Sequence, residues 1–298
     1  MSSDLLAAPS TIDFATVGAV HLDVTDLERS LIWWRDLVGL RVIASGPGYA
    51  ELGSGSEPLV VLHAGAAQPV ARGFSGLYHL ALHVPNEPEL ARALARLLNS
   101  RYPISATDHV IAKSIYLSDP DGIGLELALE TPERVQTFRW PDGAATAEII
   151  DSAGRRRNGV EPLDVEEVLG TLPDSDLSAP LPLETKVGHV HLSVPDLAAA
   201  YGFYRDTIGL LESHYVPAIG WGDLYAGGAL THVVAVNVWQ GDGAPPRPSA
   251  MAGMSRFTLR FDSAERLAEA LSNIDGHEEG DNVYLVRDSA ENVIALTT

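Results

Sequence analysis

Val17-Gly-Ala-Val-His-Leu-Asp-Val-Thr-Asp-Leu27 occurs twice in this 298-residue chain, the second time as Val187-Gly-His-Val-His-Leu-Ser-Val-Pro-Asp-Leu197. The match runs on without a gap through Trp33-Trp34-Arg35-Asp36 and Phe203-Tyr204-Arg205-Asp206 to Gly39-Leu40 and Gly209-Leu210. Over these 24 positions, 170 residues apart, 12 are identical. Identity of that density at a fixed offset marks the duplication of one structural unit.

Each half divides again. Val17 to Val24 alternates apolar and polar, as a half-buried strand does. Asp26 is placed to cap a helix, Leu27, Leu31 and Trp34 follow at helical spacing, and Gly39 ends it. Leu40 to Ala44, Gly48 to Leu52 and Pro58 to His63 then read as short strands between Gly, Ser and Pro turns. The unit is βαβββ. A second copy follows, with a strand at Tyr78 to Val84, a helix at Pro88 to Ser100, and strands near Ser105, at Ser114 to Ser118 and at Gly124 to Leu129. A third spans Val187 to Trp239, and a fourth spans Ser255 to Leu296 with its helix at Ala264 to Ser272.

The expected chain is therefore α+β, four tandem βαβββ modules. An N-terminal pair covers 1–132 (modules at about 14–65 and 73–132). A linker with a short helix at Asp164 to Leu169 covers 133–184, and a C-terminal pair covers 185–298 (about 185–240 and 252–298). Trp33, Trp34, Phe203 and Tyr204 are core packing residues at helical spacing. Arg155-Arg156-Arg157 reads as a solvated basic patch in the linker.

Composition narrows the function. A 46% hydrophobic, 20% charged chain supports a sizeable core. The formal net charge of −20 repels nucleic acid and anionic membranes, so neither is an expected partner. The absence of Cys rules out disulfides and thiolate metal sites. No apolar run has the length of a membrane span. Met1 to Ser10 shows no basic segment followed by an apolar one, and a cytoplasmic location is expected. No Gly-x-Ser-x-Gly elbow is present. Gly53-Ser-Gly55 and Gly220 to Gly228 lack nucleotide-binding fingerprints and read as turns.

Two stretches carry more than fold: Gly76-Leu77-Tyr78-His79, and Tyr116-Leu117-Ser118-Asp119-Pro120-Asp121-Gly122 leading to Glu126. Together with Asp108-His109 and Asn237-Val238-Trp239 ahead of Gly243-Ala244-Pro245-Pro246, the four modules resemble the vicinal oxygen chelate superfamily. That family comprises glyoxalase I, fosfomycin and bleomycin resistance proteins and extradiol dioxygenases, and the finer motifs are similar to its two-domain catechol-2,3-dioxygenase-like branch. The resemblance implies that modules pair into cupped mixed sheets. It also implies that first and last strands supply metal ligands, two His and one Glu in the extradiol enzymes, the facial triad of non-heme Fe(II).

The first-strand positions here hold Ala19, His79, His189 and Arg256, and the last-strand positions include Glu126 and Ala295. Pairing the second module with the third collects His79, Glu126 and His189. Pairing the first with the fourth leaves a metal-free partner. The alternative third ligand is His21, two residues past Ala19 on the same strand face.

By the same resemblance, Tyr116, ten residues before Glu126, would steady a bound catecholate. His109 or His232 would act as acid/base, a role imidazole suits. His83, Asn237 and Trp239 complete the expected substrate-binding set. The expected activity is Fe(II)-dependent extradiol cleavage of a small catechol-like aromatic with O2. The alternatives are a glyoxalase-like isomerase or transferase using Mn, Zn or Ni, and a metal-free drug-binding resistance protein. Assembly into a homo-oligomer stays open.

Overall fold

The computed structural model describes residues 13–227, 232–274, 276–280 and 283–298. The Met1 to Ser10 stretch and Gly228 lie outside the described residues. The first module runs β1 (Ala15–Val24), α1 (Leu27–Ile32) continued by a π-helical turn (Trp33–Val38), β2 (Arg41–Gly46), β3 (Tyr49–Gly53) and β4 (Val60–Ala64). The second runs β5 (Gly76–His83), α2 (Glu87–Asn99), β6 (Ser105–Asp108), β7 (Ala112–Ser118) and β8 (Gly124–Glu130). The middle segment holds β9 (Val135–Arg139), β10 (Glu148–Asp151), β11 (Arg156–Arg157), β12 (Glu161–Pro162) and α3 (Val165–Leu169). The third module is β13 (Lys186–Ser193), α4 (Leu197–Gly202) with a π-helical turn (Phe203–Thr207), β14 (Leu211–Val216), β15 (Trp221–Tyr225) and β16 (Val234–Asn237). The fourth is β17 (Gly253–Phe261), α5 (Ala264–Ser272), β18 (Glu278–Gly280), β19 (Val283–Arg287) and β20 (Val293–Thr297).

Local chemistry sets the helix starts. Asp26, Asn86, Asp164 and Asp196 each accept the backbone N–H three residues on, at 2.9–3.1 Å. Gly39 closes the first helix with φ +99°, a conformation glycine adopts without penalty.

Modules pair across the duplication. The second and third form one nine-stranded sheet, β12-β6-β7-β8-β5-β13-β16-β15-β14. The first and fourth form an eight-stranded sheet, β18-β19-β20-β17-β1-β4-β3-β2. The seams are antiparallel, β5 against β13 and β1 against β17. Alternation decides what each face shows. Leu80 and Leu82 of β5, Leu125 and Leu127 of β8, and Val190 and Leu192 of β13 enter the apolar core with Trp34 and Tyr204, all essentially inaccessible. His79, Ala81 and His83, Glu126 and Glu130, and His189 and His191 are left on the opposite, concave face. No described helix is long and apolar enough to cross a membrane.

The middle segment departs from the expected linker. β9, β10 and β11 form a three-stranded sheet, and β12 extends the nine-stranded sheet by pairing with β6. Arg157 is not a solvated cation. It grips Glu161, Asp151 and Asp108, while Arg134 also binds Asp108 and Arg155 binds Asp151. Three carboxylates gather three guanidiniums, and this ties the segment over the edge of the sheet. Of the run, Arg155 and Arg156 stay exposed.

Candidate metal centre

β8, β5 and β13 lie side by side, and Ala81 is the register partner of both Glu126 and His189. A methyl at that central position leaves room for longer side chains to converge over it. His79 Nε2 lies 3.0 Å from Glu126 Oε2, His189 Nε2 lies 3.2 Å from the same oxygen, and the two Nε2 atoms are 3.3 Å apart. All three side chains are buried. Among the described residues this is the group of His and carboxylate side chains whose ligand atoms fall within 4.8 Å of one another. His21 is elsewhere: on β1 of the other sheet, opposite Arg256, its ring stacked on His63 with Nδ1 to Nε2 at 2.9 Å.

The donor set suits a divalent cation. Burial opposes charge on Glu126, but the hydrogen-bonding His189 and His79 outweigh it and hold the carboxyl well below its usual range. Burial, then repulsion from His232, pushes His189 down to about 3 against the pull of Glu126. At neutral pH Glu126 is thus an anion and His189 a neutral imidazole, donors of the kind a divalent cation takes. Donor separations of 3.0–3.3 Å match adjacent vertices of an octahedron with bonds of about 2.1–2.3 Å.

Neighbouring groups orient these donors. His83 Nε2 lies 3.3 Å from His189 Nδ1, and His83 Nδ1 lies 2.8 Å from Glu130 Oε1. His83 was expected at the substrate. Its Nε2 approaches His189 while its ring also lines the cavity, because the strand period brings residues 79 and 83 onto one face. Gly188 makes room for that ring: a Cβ there would lie 2.0 Å from His83 Nε2. Asn237, also expected at the substrate, does not line the cavity. It is fully buried, donates to His191 Nε2 at 2.9 Å and accepts from Ser193 Oγ and the Trp239 N–H. It fixes His191 and the chain reversal after β16.

The remaining expected residues line one cavity of about 1370 Å³ with the triad. Tyr116, register partner of Glu126, donates to His109 Nε2 at 2.9 Å. His109 Nδ1 donates to the Gly159 carbonyl at 2.6 Å. Burial, then the Glu126 charge, pushes the Tyr116 phenol well up, so it is a protonated donor. Next to His109, Val110 has φ +68°, a strained value for a β-branched residue. Asp108 accepts its N–H and Thr131 donates to its carbonyl, which hold the turn that aims His109.

His232 precedes β16. Its ring centroid lies 4.2 Å from that of His189, and its Nδ1 lies 3.2 Å from Asp223 Oδ2. Burial would lower its pKa, but the Asp223 hydrogen bond and charge raise it. The other Asp223 oxygen takes the His214 N–H at 2.8 Å and lies 3.1 Å from His214 Nδ1. The two histidines hold the Asp223 carboxyl well below its usual range against burial. Trp239 stands half-exposed at the rim, edge-on to Tyr78 and His191. Sequence reasoning passed over Asp223, His214 and Glu130. His214 and Asp223 become partners only through the β14–β15 register, so the available signal was the hairpin they share.

Comparison with known proteins identifies the family and the fold. The profile of the Glyoxalase/Bleomycin resistance protein/Dioxygenase superfamily matches residues 16–127. The chain is 31% identical over 282 residues to a catechol-2,3-dioxygenase of Bacillus subtilis strain 168, covering 91% of this chain and 93% of that protein. The chain belongs to this superfamily. Among solved structures, a Bacillus subtilis protein described as a candidate dioxygenase superposes with a TM-score of 0.59 at 14% identity, covering 96% of this chain and 86% of the other. Glyoxalase I from Zea mays does so with 0.54 at 15% identity, covering 95% and 92%. Both share the vicinal oxygen chelate fold.

Proposed function

We propose that the protein is an Fe(II)-dependent extradiol dioxygenase that opens the ring of a catechol-like aromatic, placing both atoms of O2 in the product. The observation that carries this is the convergence of His79, Glu126 and His189 on three adjacent strands, with His109–Tyr116 on one flank and His232–Asp223 on the other. Iron bound there would supply the open positions at which a deprotonated diol and O2 meet.

The rest falls to the chain. His232, whose Nδ1 faces Asp223, presents Nε2 as the atom that takes and returns a proton at the diol side of the cavity. Tyr116, whose single O–H points to His109 Nε2 in the free site, would turn that O–H from His109 to developing negative charge on the diol oxygen. Burial of the triad excludes bulk water from the donors. A three-donor cluster favours this reading over a four-ligand isomerase, since no fourth His or carboxylate joins it among the described residues.

The test is anaerobic loading with Fe(II), removal of excess metal, then addition of catechol and air. A yellow ring-opened product and about one iron per chain, both lost in His189→Ala, support the assignment. Iron retained by His189→Ala, or an unchanged catechol spectrum with iron bound, refutes it.

A further inference from the structure

The proposed reaction needs little space, and the cavity offers much. A cavity of about 150 Å³ encloses a benzene ring, and small-molecule sites commonly measure about 300–1,000 Å³. This one, at about 1370 Å³, exceeds both. Part of its lining lies past His232 and Asp223, around His214. There Phe138 and Trp140, from the middle segment, pack edge-on to His214, with ring centroids at 5.1 and 5.9 Å. Trp140 also meets Trp221 at 5.5 Å. The Trp140 indole N–H is taken by the Ala144 carbonyl at 2.9 Å, so its ring has only apolar surface left to offer. Val160, from the same segment, lines the cavity yet is 69% exposed.

Charge selects as well. The carboxylates among the described lining residues are Glu126, Glu130 and Asp223, and the one Lys or Arg among them is Arg72, exposed at the mouth. Away from the metal donors, a substrate carboxylate would find no Lys or Arg among the described lining residues other than Arg72.

We infer that the site takes a catechol bearing a bulky, uncharged, apolar substituent, and that Trp140, Trp221 and Val160 form the wall that selects it. This rests on the dioxygenase reading for the fate of the ring, but the wall acts on binding and is testable without turnover. The experiment is calorimetric titration under argon of the full chain, as purified and Fe(II)-loaded, with catechol, 3-phenylcatechol and 3,4-dihydroxybenzoate. It is followed by admission of air and spectroscopy of the products. Expected is an affinity for 3-phenylcatechol about tenfold or more above that for catechol, the factor one further buried ring supports, with 3,4-dihydroxybenzoate weakest. Trp140→Ala brings the ratio of the first two close to one. Val160→Asp, at an exposed position that does not threaten folding, lowers it in the same direction. Equal affinities, preference for the carboxylate, or a ratio intact in both variants overturns the inference. Selective binding without ring opening supports the wall and refutes the oxygenase reading. Ring opening without selectivity does the reverse.

Discussion

Gly188→Ala exposes the support behind the metal donors. Its Cβ would lie 2.0–2.2 Å from three atoms of the His83 ring, where ordinary contact begins at 3.4 Å, so the ring must retreat by about 1.4 Å. That movement breaks the 3.3 Å approach to His189 Nδ1 and the 2.8 Å approach to Glu130. Overpacking of a rigid interior costs about 1–3 kcal/mol, and loss of a group orienting a metal-bound histidine typically lowers metal affinity about 10–100-fold. Removing the obstacle separates the two effects. In Gly188→Ala/His83→Ala the clash is gone, so stability should match that of His83→Ala alone, giving a coupling of about 1–3 kcal/mol. The metal affinity should stay low, because the orienting imidazole is gone. Urea unfolding of the metal-free variants reads the first quantity, and competition with a chelator for Fe(II) reads the second. Additive stability losses, or wild-type affinity in Gly188→Ala, would refute the reasoning.

Two further outcomes follow from the site and its surroundings. Tyr116→Phe removes one donor while keeping the ring, so kcat for catechol should fall about 10–1,000-fold with KM changed far less. An equal rise in KM at unchanged kcat would assign Tyr116 to substrate binding alone. Burial raises Asp119 to about 6, above the roughly 3.9 of an unfolded aspartate. Its contribution is therefore full below about pH 4 and is lost as pH rises through 6. Asp119→Asn keeps the acceptor for the Asp121 and Ile123 N–H groups. The stability of Asp119→Asn relative to wild type should therefore rise by up to about 3 kcal/mol between pH 4 and 7. A pH-independent difference in chemical unfolding would contradict it.

Much of this architecture was legible in the chain. A repeat is a local pattern, and strand and helix periods report which side chains share a face. Val17 to Leu40 and its copy therefore defined the modules, and the loss of ligand positions at Ala19, Arg256 and Ala295 pointed to pairing of the second module with the third. The same reading erred where neighbours along the strand mattered less than neighbours across it. Asn237 is fully buried against His191 and does not line the cavity.

What the sequence determined alone is the βαβββ repeat, because it depends on spacing within single modules; the family resemblance added His79, Glu126 and His189 as candidate ligands, with His21 left as the alternative. Tertiary structure decided the rest. Asp223 joins His214 to His232 through the β14–β15 register, and Glu126 and His79 meet His189 only in the sheet that sets the second module beside the third. The segment that read as a linker becomes a cavity wall only because Arg157, Arg134 and Arg155 close on Asp108, Asp151 and Glu161. These are ion pairs between residues up to 49 positions apart that no periodicity records.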